Sequence, residues 1–341
     1  MKNTIPLYRT VLAQAWQITR ERKTLWFWGL FAALLGNIGE YQFLSAAVNR
    51  AILGNTSSVI LNFPAPPLSF SQGLLKTATT DPFSVFILLL IGLLGAVLVA
   101  FFVWLATVAV IGLIAGAGGR GSKQPFLKEI GSTVSESKAS FAPVLITYVF
   151  GRILLWLIMG LVALFGALVF VDMYVGLPLF IVAFLVLVPL LFLISFAIRF
   201  AIMFIVLKKK SILESIQLGS SLVRQHWIVA AELALLLLCI NIVTALFLLA
   251  FIYLGVLPFL ITATIFWKVG LTTWAVMLTV LAVLSFLVAV FIFGSLLTTF
   301  QWAAWTILFV RLQQRARVFS KVTRMLGHLI TDRPLRLFSK S

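Results

Sequence analysis

The sequence predicts an all-α membrane protein with six transmembrane helices, and three observations lead to that prediction. Hydrophobic residues make up 62% of the 341 positions and charged residues only 10%, whereas soluble domains carry about 25% charged residues. Apolar runs recur that are long enough to cross a bilayer, which takes about 20 helical residues. Basic residues cluster in the connections between alternate runs.

The apolar runs predict one transmembrane domain over residues 25–310. Its first span is the least regular, because its uninterrupted part is short and Glu40 lies within it. The sixth exceeds the thickness of a bilayer, yet nothing stronger than Gly294-Ser295 divides it, so we predict one helix there. The predicted spans cover about residues 25–47, 82–116, 142–171, 177–207, 227–255 and 271–310.

Polar segments precede, separate and follow the spans. Residues 1–24 form a predicted amphipathic lead-in, and residues 48–81 form an external loop rich in turn residues. We predict a tight outer turn at Asp172 and a last outer turn over residues 256–270. Residues 311–341 form a basic amphipathic tail that is expected to lie on the inner leaflet.

A cleaved signal peptide is the alternative interpretation of the start of the chain. It would end near Ser45-Ala46-Ala47, where small residues follow an apolar run. Its basic leader would be unusually long, so we favour a retained first span.

The distribution of lysine and arginine predicts that both termini are cytoplasmic. The four segments that would face the cytoplasm hold 21 of the 26 basic residues. These segments are residues 1–24, 117–141, 208–226 and 311–341. Because basic residues are concentrated on the cytoplasmic side of membrane proteins, the number of spans must be even.

Interfacial amphipathic helices are predicted before spans one, three and five. Each approach carries a helical stripe that leads directly into its span, which indicates three units of an amphipathic helix plus a membrane hairpin. The alternative is that any chain entering a bilayer needs such a helix. The stripes include Val11-Leu12-Ala13-Gln14-Ala15-Trp16, Glu129-Ile130-Gly131-Ser132-Thr133-Val134 and Glu214-Ser215-Ile216-Gln217-Leu218-Gly219.

Motifs for catalysis, metals and cofactors are absent from the sequence. Cys239 is the single cysteine, and neither His226 nor His328 has a neighbour at metal-ligand spacing. The run from Gly116 to Gly121 satisfies GxGxxG, but it follows a membrane helix instead of a strand, so a dinucleotide site is not predicted. No HExxH, GxSxG or Walker pattern occurs. We therefore predict no enzyme activity, no metal and no cofactor.

The net charge of +17 is interpreted as topology and lipid contact. In a soluble protein such an excess would suggest nucleic acid as a partner. In a membrane protein it indicates basic cytoplasmic segments and attraction to anionic phospholipids. We therefore expect the lipid bilayer, anionic phospholipids and partner membrane proteins as binding partners, and no nucleic acid.

Three charged residues inside predicted spans are the candidate site. Arg152, Arg199 and Glu232 lie about 9–15 Å from the inner boundary, counted along their helices. Charges at such depth face a partner or water. An Arg–Glu–Arg cluster would keep a positive charge and accept an anionic headgroup or phosphate. The alternative, which we favour, is a structural ion pair with arginines that reach the interface. Asn241, near mid-span, is predicted to join two helices by a hydrogen bond.

Two stretches of the chain resemble a family of bacterial six-helix membrane proteins. They are Ala13-Gln14-Ala15-Trp16 with Leu25-Trp26-Phe27-Trp28-Gly29-Leu30, and Ser220-Ser221-Leu222-Val223-Arg224-Gln225-His226-Trp227. The family is grouped with the membrane domain attached to some glycerophosphoryl diester phosphodiesterases. The resemblance implies a location in the bacterial cytoplasmic membrane. Catalysis in such enzymes belongs to a separate soluble barrel domain, so the resemblance implies no catalytic residue here.

These observations lead to two functional hypotheses. The first is a non-catalytic integral membrane protein that contacts anionic lipid or partner proteins through a basic cytoplasmic face. The second is a transporter of small solutes or lipids, with a cavity around Arg152, Arg199 and Glu232. Transporters contain broken, polar-lined helices. Pro189 and the glycines are the only indications of breaks here, so we favour the first hypothesis.

Overall fold

A computed structural model of the protein describes residues 7–37, 82–120 and 126–314. Of these residues 96% are helical and none lies in a strand. The predicted loop over 48–81, the signal-peptide alternative and nearly all of the basic tail fall outside them. The helices are α1 (Leu7–Glu21), α2 (Thr24–Asn37), α3 (Pro82–Ala115), α4 (Phe126–Val171), α5 (Met173–Lys208), α6 (Ile212–Phe251), α7 (Leu257–Lys268) and α8 (Thr272–Gln314).

Five helical segments are long and apolar enough to cross a membrane, so this is a multi-pass membrane protein. They comprise α3, α4, α5, α8 and the combined length of α6 and α7. The helix α8 is unbroken over 43 residues, which confirms that the predicted sixth span is one helix. The helix α2 has 14 residues, and the rest of the predicted first span lies outside the described residues.

The predicted tight turn at Asp172 separates α4 from α5 and consists of that residue alone. Its carboxylate caps α5 by accepting hydrogen bonds from the backbone N–H groups of Tyr174 at 2.9 Å and Val175 at 3.4 Å. Gly176 packs directly against the backbone of Leu168, where a Cβ atom would find no space. The hairpin is therefore as tight as two antiparallel helices allow.

The predicted outer turn over residues 256–270 is wrong. A π-helical turn (Ile252–Val256) leads from α6 into α7, which continues to Lys268. Pro258 does not end the helix, because it falls in the first turn of α7, where proline needs no backbone donor. The turn comprises residues 269–271, and Gly270 supplies the required left-handed conformation with φ of 83°.

The three approaches to the membrane differ in how they join their spans. The helix α1 is separate from α2, with Arg22 and Lys23 between them. In α6 the backbone leaves the helical conformation at His226, with φ −132° and ψ 29°. The second approach has no such break, since α4 continues through Pro143 into the membrane segment. Its 46 residues span about 69 Å.

Large apolar side chains are exposed along one part of each long helix. We call this surface the apolar belt and define it by Phe83–Trp104 of α3, Met173–Leu193 of α5 and Trp274–Ile292 of α8. These stretches are about 32, 30 and 27 Å long at 1.5 Å per residue. The hydrocarbon layer of a bilayer is about 30 Å thick. The belt therefore has the height of a lipid-facing surface.

The buried core lies beyond the belt, at one end of the bundle. Every residue is buried in three helix ends, over residues 106–114 of α3, 200–207 of α5 and 303–309 of α8. A helix end that is buried on all sides is surrounded by other helices. Residues from α1, α2, the first half of α4 and the stretch Val223–Leu237 of α6 complete this cluster. We call it the basic-end core, because basic side chains surround it.

Each approach packs against the end of a helix that runs towards it. The helix α1 meets α8 where the rings of Trp16 and Phe300 lie 6.3 Å apart, edge to face. The start of α4 meets α3, where Gly112 faces the side chain of Thr133. The start of α6 meets α5 at Gly219, where a Cβ atom would lie 2.7 Å from a backbone oxygen. The same packing, of an approach against the end of a neighbouring helix, thus occurs three times. Three units of similar structure would produce this arrangement.

Candidate functional site

Exposed basic side chains surround the basic-end core. Among the described residues at this end, the exposed acidic side chain is Glu21, and Glu214 pairs with Lys210 at 2.6 Å. This end of the bundle is therefore strongly positive. The exposed basic residues are Arg9, Arg20, Lys23, Lys138, Lys208, Lys209, Lys210 and Arg224.

Some basic residues at this end hold helices together. Arg22 donates to the backbone oxygen of Gly116 at 2.9 Å, which joins the α1–α2 turn to the end of α3. Lys209 donates to the Ser140 hydroxyl at 2.8 Å, which joins the end of α5 to α4. Arg311 of α8 hydrogen-bonds to Gln14 and Thr10 of α1. These contacts are structural, and of the residues that make them Lys209 also belongs to the exposed set.

Arg152 and Arg199 lie at the same level on neighbouring antiparallel helices. A Cβ atom on Gly151 of α4 would lie 2.5 Å from the Ile198 side chain of α5, so these two residues face each other. Each arginine follows its contact residue by one position. Along a helix, each side chain points about 100° away from the direction of the previous one. Viewed from one end, this rotation is clockwise in one helix of an antiparallel pair and anticlockwise in the other. Both arginines therefore leave the helix pair on the same side.

Each of these arginines has an aromatic partner. The Nε and Nη2 atoms of Arg152 donate to the Tyr148 hydroxyl at 3.2 and 2.9 Å. The guanidinium of Arg199 lies over the ring of Trp305, 5.3 Å from its centroid, in cation–π geometry. Both arginines are half-buried. The aromatic contacts fix the guanidinium groups while leaving part of each exposed.

Trp305 connects Arg199 to the basic-end core. Its ring lies 5.4 Å from that of Phe196 and 5.9 Å from that of Phe200, centroid to centroid. The side chain is 2% exposed, and its buried indole N–H has no hydrogen-bond partner among the described residues. The buried indole N–H of Trp305 thus belongs to the same ring on which the guanidinium group of Arg199 stacks.

Glu232 of α6 is half-buried beside the same core. One carboxylate oxygen, Oε2, is shielded from solvent. Its neighbours Val229, Ala230 and Leu233 belong to the basic-end core, together with Phe196 of α5. The third predicted site residue thus lies on a helix that packs into this cluster. Closure of the three residues into one Arg–Glu–Arg cluster stays a prediction.

Asn241 accepts a hydrogen bond from the Nε2 atom of Gln301, which joins α6 to α8. This is an interhelical contact of the predicted kind. A similar set of contacts joins α8 to α2, where Ser295 donates to the Trp26 carbonyl and Thr299 donates to the Leu25 carbonyl at 3.0 Å. Sequence reasoning overlooked Gln301, although a glutamine in a long apolar run was a visible signal.

Comparisons with known proteins add no assignment. No protein-family model matches the sequence, and no match is found among curated proteins or solved structures. Within the described ranges, no group of histidine, cysteine, aspartate and glutamate side chains is arranged to hold a metal ion.

Proposed function

We propose that this protein is a non-catalytic, multi-pass protein of a bacterial cytoplasmic membrane that holds anionic phospholipids at its basic end. The observation that carries the proposal is the ring of exposed lysines and arginines around the basic-end core, at one end of the bundle. Each basic residue near an anionic membrane surface gains about 1 kcal/mol of attraction. The proposal includes six spans with both termini in the cytoplasm and the resemblance to the phosphodiesterase-associated membrane domain.

The packing of the basic end favours lipid holding over transport. A path through the bundle would have to pass the three central helix ends, where Phe200, Met203, Trp305 and Phe309 are at most 2% exposed. Transporter sites are built from broken helices. The helix α5 continues unbroken through Pro189, and the break in α6 at His226 lies before its buried residues Val229 and Ala230. Among the described residues, the basic end is thus a closed core with charge on its surface.

Anionic lipid is expected to stabilise the purified protein more than zwitterionic lipid does. Added phosphatidylglycerol should raise the Tm by about 5 °C, because a ligand of the native state at high occupancy adds about 2–3 kcal/mol. The combined variant Arg20→Gln, Lys23→Gln, Lys208→Gln and Arg224→Gln should lose at least half of this shift. The measurement is thermal unfolding in detergent, with and without each lipid.

Lys268→Gln is the control for this experiment, because Lys268 is an exposed basic residue at the opposite end. It should leave the lipid-dependent shift unchanged. Equal stabilisation by phosphatidylglycerol and phosphatidylcholine would contradict the proposal. An undiminished shift in the fourfold variant would contradict it as well.

A further inference from the structure

Two of the approaches, α1 and the start of α6, share one pattern of burial. Each has three buried residues at intervals of four, and these are Val11, Ala15 and Thr19 in α1 and Ser215, Gly219 and Val223 in α6. A shift by the same number of residues places the exposed Arg20 on the exposed Arg224. It also places Arg22, between α1 and α2, on His226, where α6 leaves the helical conformation. The two helix breaks therefore occupy equivalent positions in two units.

At each break the exposed side chains change from basic to apolar. Lys23 is exposed in the first break, and the exposed Phe27 follows it in the first turn of α2. In α6 the exposed Arg224 is followed by Trp227, which is 52% exposed, and the exposed side chains from there to Phe251 carry no charge. Basic residues followed by aromatic ones are typical of the boundary between headgroups and hydrocarbon. Both breaks have this composition.

The first break lies near the end of the apolar belt on α8. Before the break, the ring of Trp16 meets that of Phe300. After it, the carbonyl of Leu25 accepts a hydrogen bond from Thr299. The break is therefore alongside these two residues of α8, and the belt ends at Ile292, about 10 Å further along the helix.

The second break lies near the end of the belt on α5. After the short turn that follows Lys208, α6 runs back along α5, and Gly219 packs against the backbone at Ala197. His226 follows Gly219 by about two helical turns. It is therefore level with the end of the belt at Leu193 to within about one turn.

The exposed basic side chains at the two breaks are available to a ligand. Those of Arg20, Lys23 and Arg224 form no hydrogen bond or ion pair with any described residue. Glu21 lies between the first two and accepts a hydrogen bond from Gln17. The first break keeps a net positive charge, because Arg20 and Lys23 outnumber this one carboxylate.

We infer that the two breaks are matched binding positions for the phosphate groups of anionic phospholipids, with Arg20 and Lys23 at the first and Arg224 at the second. This inference rests on the proposed function and selects, from the ring of basic residues, those that contact lipid. Guanidinium and ammonium groups donate charge-assisted hydrogen bonds to phosphate oxygens. Arg9, near the start of α1, and Lys138, close to where Ser140 contacts the end of α5, lie farther from the belt.

Native mass spectrometry of protein released from nanodiscs tests these positions. The nanodiscs contain phosphatidylglycerol and phosphatidylcholine in equal amounts, and the mass of each retained molecule identifies the lipid. Wild-type protein should retain phosphatidylglycerol selectively. The double variant Arg20→Gln/Arg224→Gln should retain about fivefold less, because each position loses one basic contact. The matched double variant Arg9→Gln/Lys138→Gln loses the same charge and should match wild type.

The double variant Arg20→Lys/Arg224→Lys separates the effect of charge from that of the fold. Lysine keeps the positive charge, so this variant should retain phosphatidylglycerol to within about twofold of wild type. Equal losses in the lysine and glutamine variants would overturn the electrostatic contact. Undiminished retention by the glutamine variant would overturn the assignment to lipid and leave the two arginines to a partner protein.

The outcomes also separate this inference from the proposed function. If the variants at the breaks and the matched variant lose phosphatidylglycerol equally, the whole basic ring holds lipid. The proposed function then stands, and the assignment to the breaks fails. If wild-type protein retains phosphatidylglycerol and phosphatidylcholine equally, the proposed function itself fails.

Discussion

Replacing Gly29 with alanine is expected to destabilise the protein by about 3 kcal/mol, the upper part of the usual range for overpacking. A Cβ atom on Gly29 of α2 would overlap the carbonyl oxygen of Ser295 and the hydroxyl of Thr299 in α8. Backbone atoms cannot move aside as a flexible side chain can. The added methyl group would therefore separate α2 from α8 and break the hydrogen bond from Thr299 to the Leu25 carbonyl.

Gly92→Ala is the matched control, measured by thermal unfolding in the same detergent. Gly92 lies in the apolar belt on α3, and no atom lies within 4 Å of where its Cβ would be. The same substitution should change the stability there by less than about 1 kcal/mol, towards higher stability because alanine is the better helix former. Equal effects at the two glycines would show that α2 and α8 do not pack as described.

Replacing Trp305 with alanine should cost about 3–5 kcal/mol, the range for removing a large buried aromatic side chain. Its ring contacts Phe196 and Phe200 of α5, and it is 2% exposed. The three buried helix ends leave little freedom for the cavity to collapse. The substitution would also remove the surface on which Arg199 stacks.

Two further variants locate the cause of this loss. Trp274→Ala removes an exposed ring at the start of α8, which is 56% exposed, and should cost less than about 1 kcal/mol. Trp305→Phe keeps an aromatic ring in the core and should recover most of the stability. The measurement is the unfolding midpoint of each purified variant. A cost at Trp274 equal to that at Trp305 would contradict a core placed at the basic end.

The membrane helices could be predicted wherever the apolar composition of a run is enough to identify it as a helix. The predicted second, third, fourth and sixth spans each lie within one apolar helix, because long apolar runs have no other stable state in lipid. The predicted turn over residues 256–270 is wrong because Pro258, a residue typical of turns, lies in the first turn of α7, where proline is compatible with a helix. Whether a proline breaks a helix or lies in its first turn depends on where the helix begins, and the sequence does not determine that residue.

The charged residues of the candidate site could be predicted from the sequence, but the side chains that contact them could not. Arg152, Arg199 and Glu232 are conspicuous, because charged residues in apolar runs are rare. Tyr148 and Trp305 are not, since one aromatic residue in an aromatic-rich helix resembles any other. The depth of 9–15 Å followed from assuming that each span fills its whole apolar run. Burial divides those runs into the apolar belt and the basic-end core, which the sequence does not distinguish.

The level of the bilayer along α5 tests most directly the central claim, that the apolar belt lies in the hydrocarbon and the basic-end core lies outside it. Nitroxide labels are placed one at a time at Val182, Val186, Leu190 and Leu193, which are exposed, in a Cys239→Ser background. Depth is measured from collisions with oxygen and a water-soluble relaxant in vesicles. We predict the greatest depth at Val182 and a steady decrease to the headgroup boundary at Leu193. The greatest depth at Leu190 or Leu193 would place the start of the basic-end core inside the hydrocarbon and contradict the claim.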